Sequence, residues 1–186
     1  MRIITISYND LLPQGYIEVN CTSRGDKYKE LSPFTHYDVR FKDIFANNVE
    51  NAWQFSKVYP QHDDNGTPNE KWYEWRERGF KSSFAYRYPM GKGAKPLYSY
   101  VDGVKYDYVS ARKEIYFPLY IDFCLHNSVF LELYKEVCDG YECYAIRDFD
   151  AYKMKKLTLK EVVNNPYKKV GHGFVLYHLL TNENYK

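Results

Sequence analysis

The sequence predicts an α+β fold: one compact domain, mainly helical, with a small antiparallel or mixed sheet, spanning residues 1–186. Three observations predict it. Short β-branched runs and helical periodicities are mixed without the regular strand–helix rhythm of a doubly wound sheet. At 186 residues the chain suits one core that needs no disulfide staples, and it carries no internal repeat or low-complexity linker. An Asp-Gly pair at 102–103 lies between two alternating runs, the strongest short signal for an antiparallel hairpin.

Taken in order, "RIITISY" (2–8) is enriched in β-branched residues and reads as a strand, and "THYDVRFKDIF" (35–45) alternates as a second. Asn47 or Asn48 caps a helix over 49–59 that Pro60 ends. "HDDNGT" (62–67) is turn-rich, and Thr67-Pro68 supply N-cap and N1 of a helix running to Phe80. The Gly-, Pro- and Lys-rich stretch 82–96 is a mobile surface loop, followed by the hairpin at 98–108. A long helical segment covers 110–137, restarted or kinked at Pro118. "ECYAIRDFD" (142–150) is a strand that runs into acidic residues. "TLKEVVNN" is a short helix, and "GHGFVLYHLLT" (171–181) is a final helix opening after Gly171.

The net charge of +2 excludes a molecule that holds nucleic acid by its overall field, while leaving room for a local basic patch. "MRIITISYND" lacks the long apolar run and small-residue cleavage site of a signal peptide, and no segment approaches the roughly 20 apolar residues that span a bilayer. The four cysteines, Cys21, Cys124, Cys138 and Cys143, fit neither a zinc spacing nor a secreted disulfide framework. The expectation is a cytoplasmic protein with reduced thiols and no membrane partner. Of the residues, 21 are tyrosine, whose ring and hydroxyl suit a cleft for a planar polar ligand; compositional bias explains the same number.

The helix at 49–59 poses the functional question. At about 100° per residue, Val49, Ala52, Phe55, Ser56 and Tyr59 share one side, the core face. Glu50, Gln54 and Lys57 gather about a third of a turn away, with Trp53 on the seam. That stripe is either a solvated face with a Glu50–Gln54 hydrogen bond, or a carboxylate, a ring and a cation aimed at one ligand.

The segment "ELSPFTHYDVRF…NNVENAWQFSKVY" resembles the start of the NADAR (YbiA-like) family. Ser32, Pro33 and Phe34 match its Ser-Pro-Phe element, and Glu50, Trp53, Gln54 and Lys57 match its Glu…aromatic-Gln…Lys element. The remainder resembles an uncharacterised branch with an "AR…IY.P.Y" helix, an acidic strand end and a late His-containing helix. Ala111-Arg112, Ile115-Tyr116, Pro118, Tyr120, Asp148 and Gly171-His172 fit that outline. Two departures stand out: Lys29-Glu30-Leu31 replaces the Asn-Phe that often precedes Ser-Pro-Phe, and the Trp-Gly after the late acidic residue is missing.

The resemblance implies a hydrolase, an N-glycosidase that cuts the bond between a ribose and a nucleobase or related amine. Its partner is a small ribosyl phosphate or an ADP-ribosylated nucleobase, free or within nucleic acid, and it implies neither cofactor nor metal. Such a reaction passes through an oxocarbenium-like ribose, which calls for negative charge near C1′ and a base for water. The implied catalytic residues are Glu50, Lys57 and Asp148. The implied substrate-binding residues are Trp53 on the base, Gln54 at its edge, Arg112 on phosphate beside Lys57, and Ser32, Phe34, Asp150 and His172.

Bland readings stand beside these. Asp148 and Asp150 also suit a strand end that turns, where Asp bonds its own backbone. As a D-x-D pair they match a Mg²⁺ motif, yet no further acidic cluster supports one. His172 opens a helix, where an anion such as phosphate is favoured, though its two flanking glycines serve a tight turn equally well. Met90-Gly91-Lys92-Gly93 lacks the Gly-Lys-Ser/Thr ending of a phosphate loop. The alternative function is a non-catalytic nucleotide or single-stranded nucleic-acid binding module. It would stack bases on Trp72, Trp75, Tyr86 and Tyr88 beside Lys81, Arg87, Lys92 and Lys95. Glu70, Glu74 and Glu77 dilute that positive field.

Overall fold

The β-branched run at the start of the chain forms β1 (Arg2–Ser7), as its composition predicts. The computed structural model describes residues 2–140 and 142–186, and its fold class is α+β. A second strand, β2 (Tyr16–Asn20), follows, which its short "YIEVN" pattern did not announce. The segment 35–45 is a tight hairpin, β3 (Val39–Phe41) and β4 (Ile44–Ala46), rather than one strand. Lys42 at φ 53° turns the chain back, a left-handed conformation that composition alone does not flag in a lysine.

The next helix, α1 (Val49–Gln54), is shorter than its periodicity predicts. Asn48 caps it by accepting from the Asn51 amide, and Lys57 already belongs to β5 (Lys57–Val58). The expected helix start at Thr67-Pro68 is instead a small antiparallel pair, β6 (Asp63–Asp64) with β7 (Thr67–Pro68). Asn69 takes the cap of α2 (Glu70–Lys81), because its side chain accepts from the Trp72 amide. After the irregular stretch 82–96 comes the predicted hairpin, β8 (Tyr98–Val101) and β9 (Val104–Tyr106). Its turn residues Asp102 and Gly103 both have positive φ, 53° and 76°, as a type I′ turn demands.

The long helical segment is a chain of pieces: α3 (Tyr108–Ala111), a π-helical turn (Arg112–Tyr116), α4 (Phe117–Leu125) and α5 (Ser128–Asp139). Pro118 lacks an amide hydrogen and crowds the carbonyl one turn back, and the wider π turn just before it relieves both. Asn127 restarts the helix by accepting from the Val129 and Phe130 amides. The chain then forms β10 (Cys143–Asp148), α6 (Leu159–Asn164) with a Thr158–Glu161 capping box, and α7 (His172–Thr181).

The chain folds into two compact units, one of residues through Ser32 with Tyr120–Lys186, the other of Pro33–Leu119. In the first, β10 runs between β1 and β2, all parallel, with Ile146 in register with Thr5 on one side and Val19 on the other. β10 is buried from Tyr144 to Asp148, the near-continuous burial of a central parallel strand. α7 packs against β1 and β10 and is apolar nearly all round; Phe174, Val175 and Leu176 are fully buried.

In the second unit, the antiparallel pair β3–β4 packs through β4 on α1 and α2, and β5–β8–β9 form a three-stranded antiparallel sheet. The small antiparallel or mixed sheet of the sequence reading is thus, among the described residues, one parallel sheet and three antiparallel ones. Among the described residues, no helix is long and apolar enough to cross a membrane. All four cysteines are free thiols.

Candidate functional site

The residues expected on the core face are all buried, Val49 and Ala52 on α1 and Phe55, Ser56 and Tyr59 beyond its end. The neighbouring polar stripe is the feature of interest. Gln54 Nε2 donates to Glu50 Oε1 at 3.0 Å, and Gln54 Oε1 accepts from Lys57 Nζ at 2.7 Å. One amide thus joins a carboxylate to an ammonium group, each end using the role its atoms permit. Lys57 reaches this position after the helix ends. Phe55 closes α1 and the Ser56 hydroxyl donates to the Trp53 carbonyl at 2.8 Å, turning the chain into β5.

Burial sets the electrostatics. Glu50 is only 6% exposed, so its carboxylate lies in a low-dielectric setting where partners matter. Burial pushes the Lys57 ammonium down to about 8, with Glu50 pulling the other way. Lys57 Nζ also stands 4.4 Å above the Trp53 ring, a cation–π contact. Trp53 is 8% exposed, and its ring centroid lies 5.1 Å from that of Tyr116. A ring so enclosed holds the lysine in place rather than offering a free face to a base, which departs from the stacking role that the resemblance implies.

Residues outside the stripe fix its position. The Glu50 amide donates to the Pro33 carbonyl at 2.9 Å, tying α1 to the Pro-Phe segment, while Phe34 itself is 36% exposed. The fully buried Trp72 indole donates to the Lys57 carbonyl at 2.9 Å. Asn51 is the anchor that sequence reasoning missed. Its Nδ2 donates to the carbonyls of Ser82 (3.2 Å) and Phe84 (2.9 Å), and its Oδ1 accepts from the Tyr86 amide (2.9 Å). An Asn inside a short helix is a poor helix former and was the available signal. Arg112, 1% exposed, opens the π turn with its guanidinium 4.0 Å over the Tyr108 ring.

Asp148, Asp150, His172 and Ser32 belong to the other unit. Asp148 and His172 are brought together and buried, 2% and 7% exposed. Asp148 Oδ2 accepts from the Gly173 amide at 3.1 Å, and its Oδ1 lies 3.5 Å from His172 Nδ1. His172 Nε2 lies 2.8 Å from the Cys21 carbonyl, which only accepts, so this nitrogen carries the proton. The anion expected at the start of α7 is therefore supplied by the chain itself, through Asp148. The flanking glycines have a steric purpose. A Cβ on Gly171 would overlap Asp148 Oδ2, and one on Gly173 would come within 2.9 Å of Asp148 Cβ.

Asp150 is more exposed and pairs with Lys169 at 3.5 Å. Ser32 is 3% exposed, and its amide donates to the Lys29 carbonyl at 3.0 Å. Burial of Cys21, then the nearby Asp148, raises its thiol well above the ordinary range, which makes it an inert thiol.

A separate depression of about 310 Å³ in the Pro33–Leu119 unit is lined by Asp43, Phe45, Tyr73, Arg76 and Phe80 among others. None of its lining residues belongs to the stripe on α1, and Arg76 there is paired with Asp43 at 2.9 Å.

Comparison of the chain with protein-family models, with curated proteins and with solved structures finds no match in any of the three. The chemistry must therefore be argued from the side chains. A buried carboxylate linked through an amide to a lysine that titrates near 8 combines an acid–base group with a switchable cation.

Proposed function

We propose that the protein is an N-glycosidase that hydrolyses the bond between a ribose, carried as ribosyl phosphate or ADP-ribose, and a nucleobase or related amine. The observation that carries this reading is the Glu50–Gln54–Lys57 chain of hydrogen bonds, buried at its carboxylate end. The resemblance of the same residues to the NADAR (YbiA-like) motif adds to it.

In the proposed reaction the C1′–N bond breaks with its electron pair on the departing nitrogen, which takes up a proton from solvent. That uptake is balanced by the later release to solvent of the proton that Glu50 gains. A water oxygen bonds to C1′, and its proton passes to the Glu50 carboxylate. Before that step the same carboxylate stabilises the positive charge that develops on the ribose. Lys57, as a point charge, and Arg112, through its planar fork, bind the phosphate of the substrate. Gln54 and Trp53 hold Lys57 in place through one hydrogen bond and one cation–π contact. Asp148, whose oxygens face Gly173 and His172, fixes the start of α7 in this scheme and takes no part in the chemistry.

The test is release of free base or sugar from ribosyl-phosphate nucleobase compounds and from ADP-ribosylated nucleobases, followed by mass spectrometry. Glu50→Gln keeps the shape of the side chain and its acceptor oxygen. It should cut turnover by about a hundredfold or more while ligand affinity stays close to that of the wild type. Normal turnover by Glu50→Gln would sink the assignment.

A further inference from the structure

We infer that the irregular stretch 82–96 is a binding surface for single-stranded nucleic acid, anchored to α1 through Asn51. This goes beyond the glycosidase reading and does not rest on it, since strand binding is measured without turnover.

Charge segregation is the first support. Residues 78–101 hold Arg78, Lys81, Arg87, Lys92 and Lys95 and not one Asp or Glu, whereas the whole chain has a net charge of only +2. The remainder is thus net acidic, and 78–101, like the lysine-rich stretch 153–169, carries a local excess of positive charge of the kind that meets a polyanion. Lys81, on α2, is paired with Glu77 at 2.6 Å, and the cations within 82–96 are Arg87, Lys92 and Lys95.

The second support is the set of rings between those cations. Phe84, Tyr86 and Tyr88 are 66%, 40% and 45% exposed, three open rings within five residues of one another. Phe84 and Tyr86 lie with centroids 4.9 Å apart, and the Arg87 guanidinium stands 5.5 Å from the Tyr88 ring. Rings at alternate positions, with Arg87 between two of them and Lys92 and Lys95 following, suit a ligand that is both a polyanion and a row of flat groups. Unpaired bases on a phosphate backbone are that ligand; a duplex hides its base faces and offers only phosphates.

The structure also revises which rings take part. Trp72 is fully buried with its indole N–H engaged, and Trp75 packs on Phe55 with centroids 4.4 Å apart, so neither serves as a platform. The surface moves off α2, away from Glu70, Glu74 and Glu77, onto the loop. Its base is held firmly, because Asn51 bonds the backbone at Ser82, Phe84 and Tyr86.

The experiment is fluorescence anisotropy on the full chain with labelled oligo-dT, oligo-U and a duplex, each of about 12 nucleotides or base pairs. Single strands should bind more tightly than the duplex, and the DNA and RNA arms report whether the sugar matters. In the double variant Lys92→Ala/Lys95→Ala the slope of log affinity against log salt should fall by about 1.4, at about 0.7 per phosphate contact. The double variant Tyr86→Ala/Tyr88→Ala should lose about tenfold or more in affinity with the slope unchanged. All four positions lie outside the core, so an unshifted thermal melt confirms that the variants fold. No binding even at low salt, or duplex binding as tight as single-strand binding with the tyrosine variants unaffected, would overturn the inference.

Discussion

Gln54 illustrates how much one uncharged side chain decides. Its amide is the only group in the stripe with both a donor and an acceptor, and it uses the donor on Glu50 and the acceptor on Lys57. The pairing of Glu50 with Gln54 was legible in the sequence as an i, i+4 contact, because both lie within one short helix. The Lys57 contact was not legible as drawn, because it depends on the turn at Phe55 and Ser56 rather than on a second helical turn. Lys57 then carries a consequence for pH. Burial lowers it from 10.5 to about 8, so between those values the unfolded chain holds a proton that the folded chain has lost. Stability attributable to this group therefore rises with pH across that window, and the burial penalty is felt in full below about 8. Lys57→Met should flatten that rise when denaturant melts are compared at the two ends of the window. On the proposed function, affinity for a phosphate-bearing ligand should fall as pH rises through about 8, where the cation is lost, and Lys57→Met should be weak at every pH. An affinity that is flat with pH in the wild type would remove Lys57 from the phosphate site.

At the scale of elements, the clear local signals agreed with the structure and the mixed ones did not. The cap expected at Asn47 or Asn48 forms at Asn48, the Asp102-Gly103 hairpin forms, and the short helix expected at "TLKEVVNN" forms as α6, all on chemistry within four residues. The strand expected at 35–45 broke into a hairpin because Lys42 adopts a positive φ, a choice made by the packing of β3 and β4 rather than by lysine itself. The helix expected to start at Thr67-Pro68 starts at Asn69, because β6 and β7 claim the preceding residues. α1 ends five residues before its periodicity does, and tertiary bonds replace the missing turns. Asn51 supplies three of them, so Asn51→Ala leaves two carbonyls and one amide in the 82–86 segment without their partner. Removing a partner from buried polar groups costs about 1–3 kcal/mol each, less where water enters. Asn51→Ala should therefore destabilise the protein by about 2 kcal/mol and speed hydrogen exchange at the Tyr86 amide ahead of the amides of α2. An unchanged rate at Tyr86 would show that the segment is held by other means.

At the scale of the whole molecule, the fold class was legible and the sheet pairing was not. β1 and β10 each announce themselves by β-branched or apolar runs, but nothing local says that Thr5 and Ile146 share a register, with the entire Pro33–Leu119 unit between them in sequence. The acidic end of β10 was likewise visible, while the clasp of Asp148 on the start of α7 depends on that register and on Gly171 and Gly173. The strand order β1–β10–β2 has a kinetic consequence. Neither β1 nor β2 has another neighbour in this sheet, so both wait for the central strand, which arrives late in the chain. Closing so long a loop is entropically costly, and folds dominated by such pairs form slowly. The hairpins β3–β4 and β8–β9 close within a few residues and carry no such cost. Pulse-labelled hydrogen exchange during refolding should show the β8–β9 amides protected first. The amides of Ile4 and Ile6 should then gain protection at the same rate as those of β10, because their bonds form only when the two strands meet. Protection of Ile4 and Ile6 ahead of β10 would mean that β1 finds a different partner first, and that the parallel sheet is assembled by exchange rather than by direct docking.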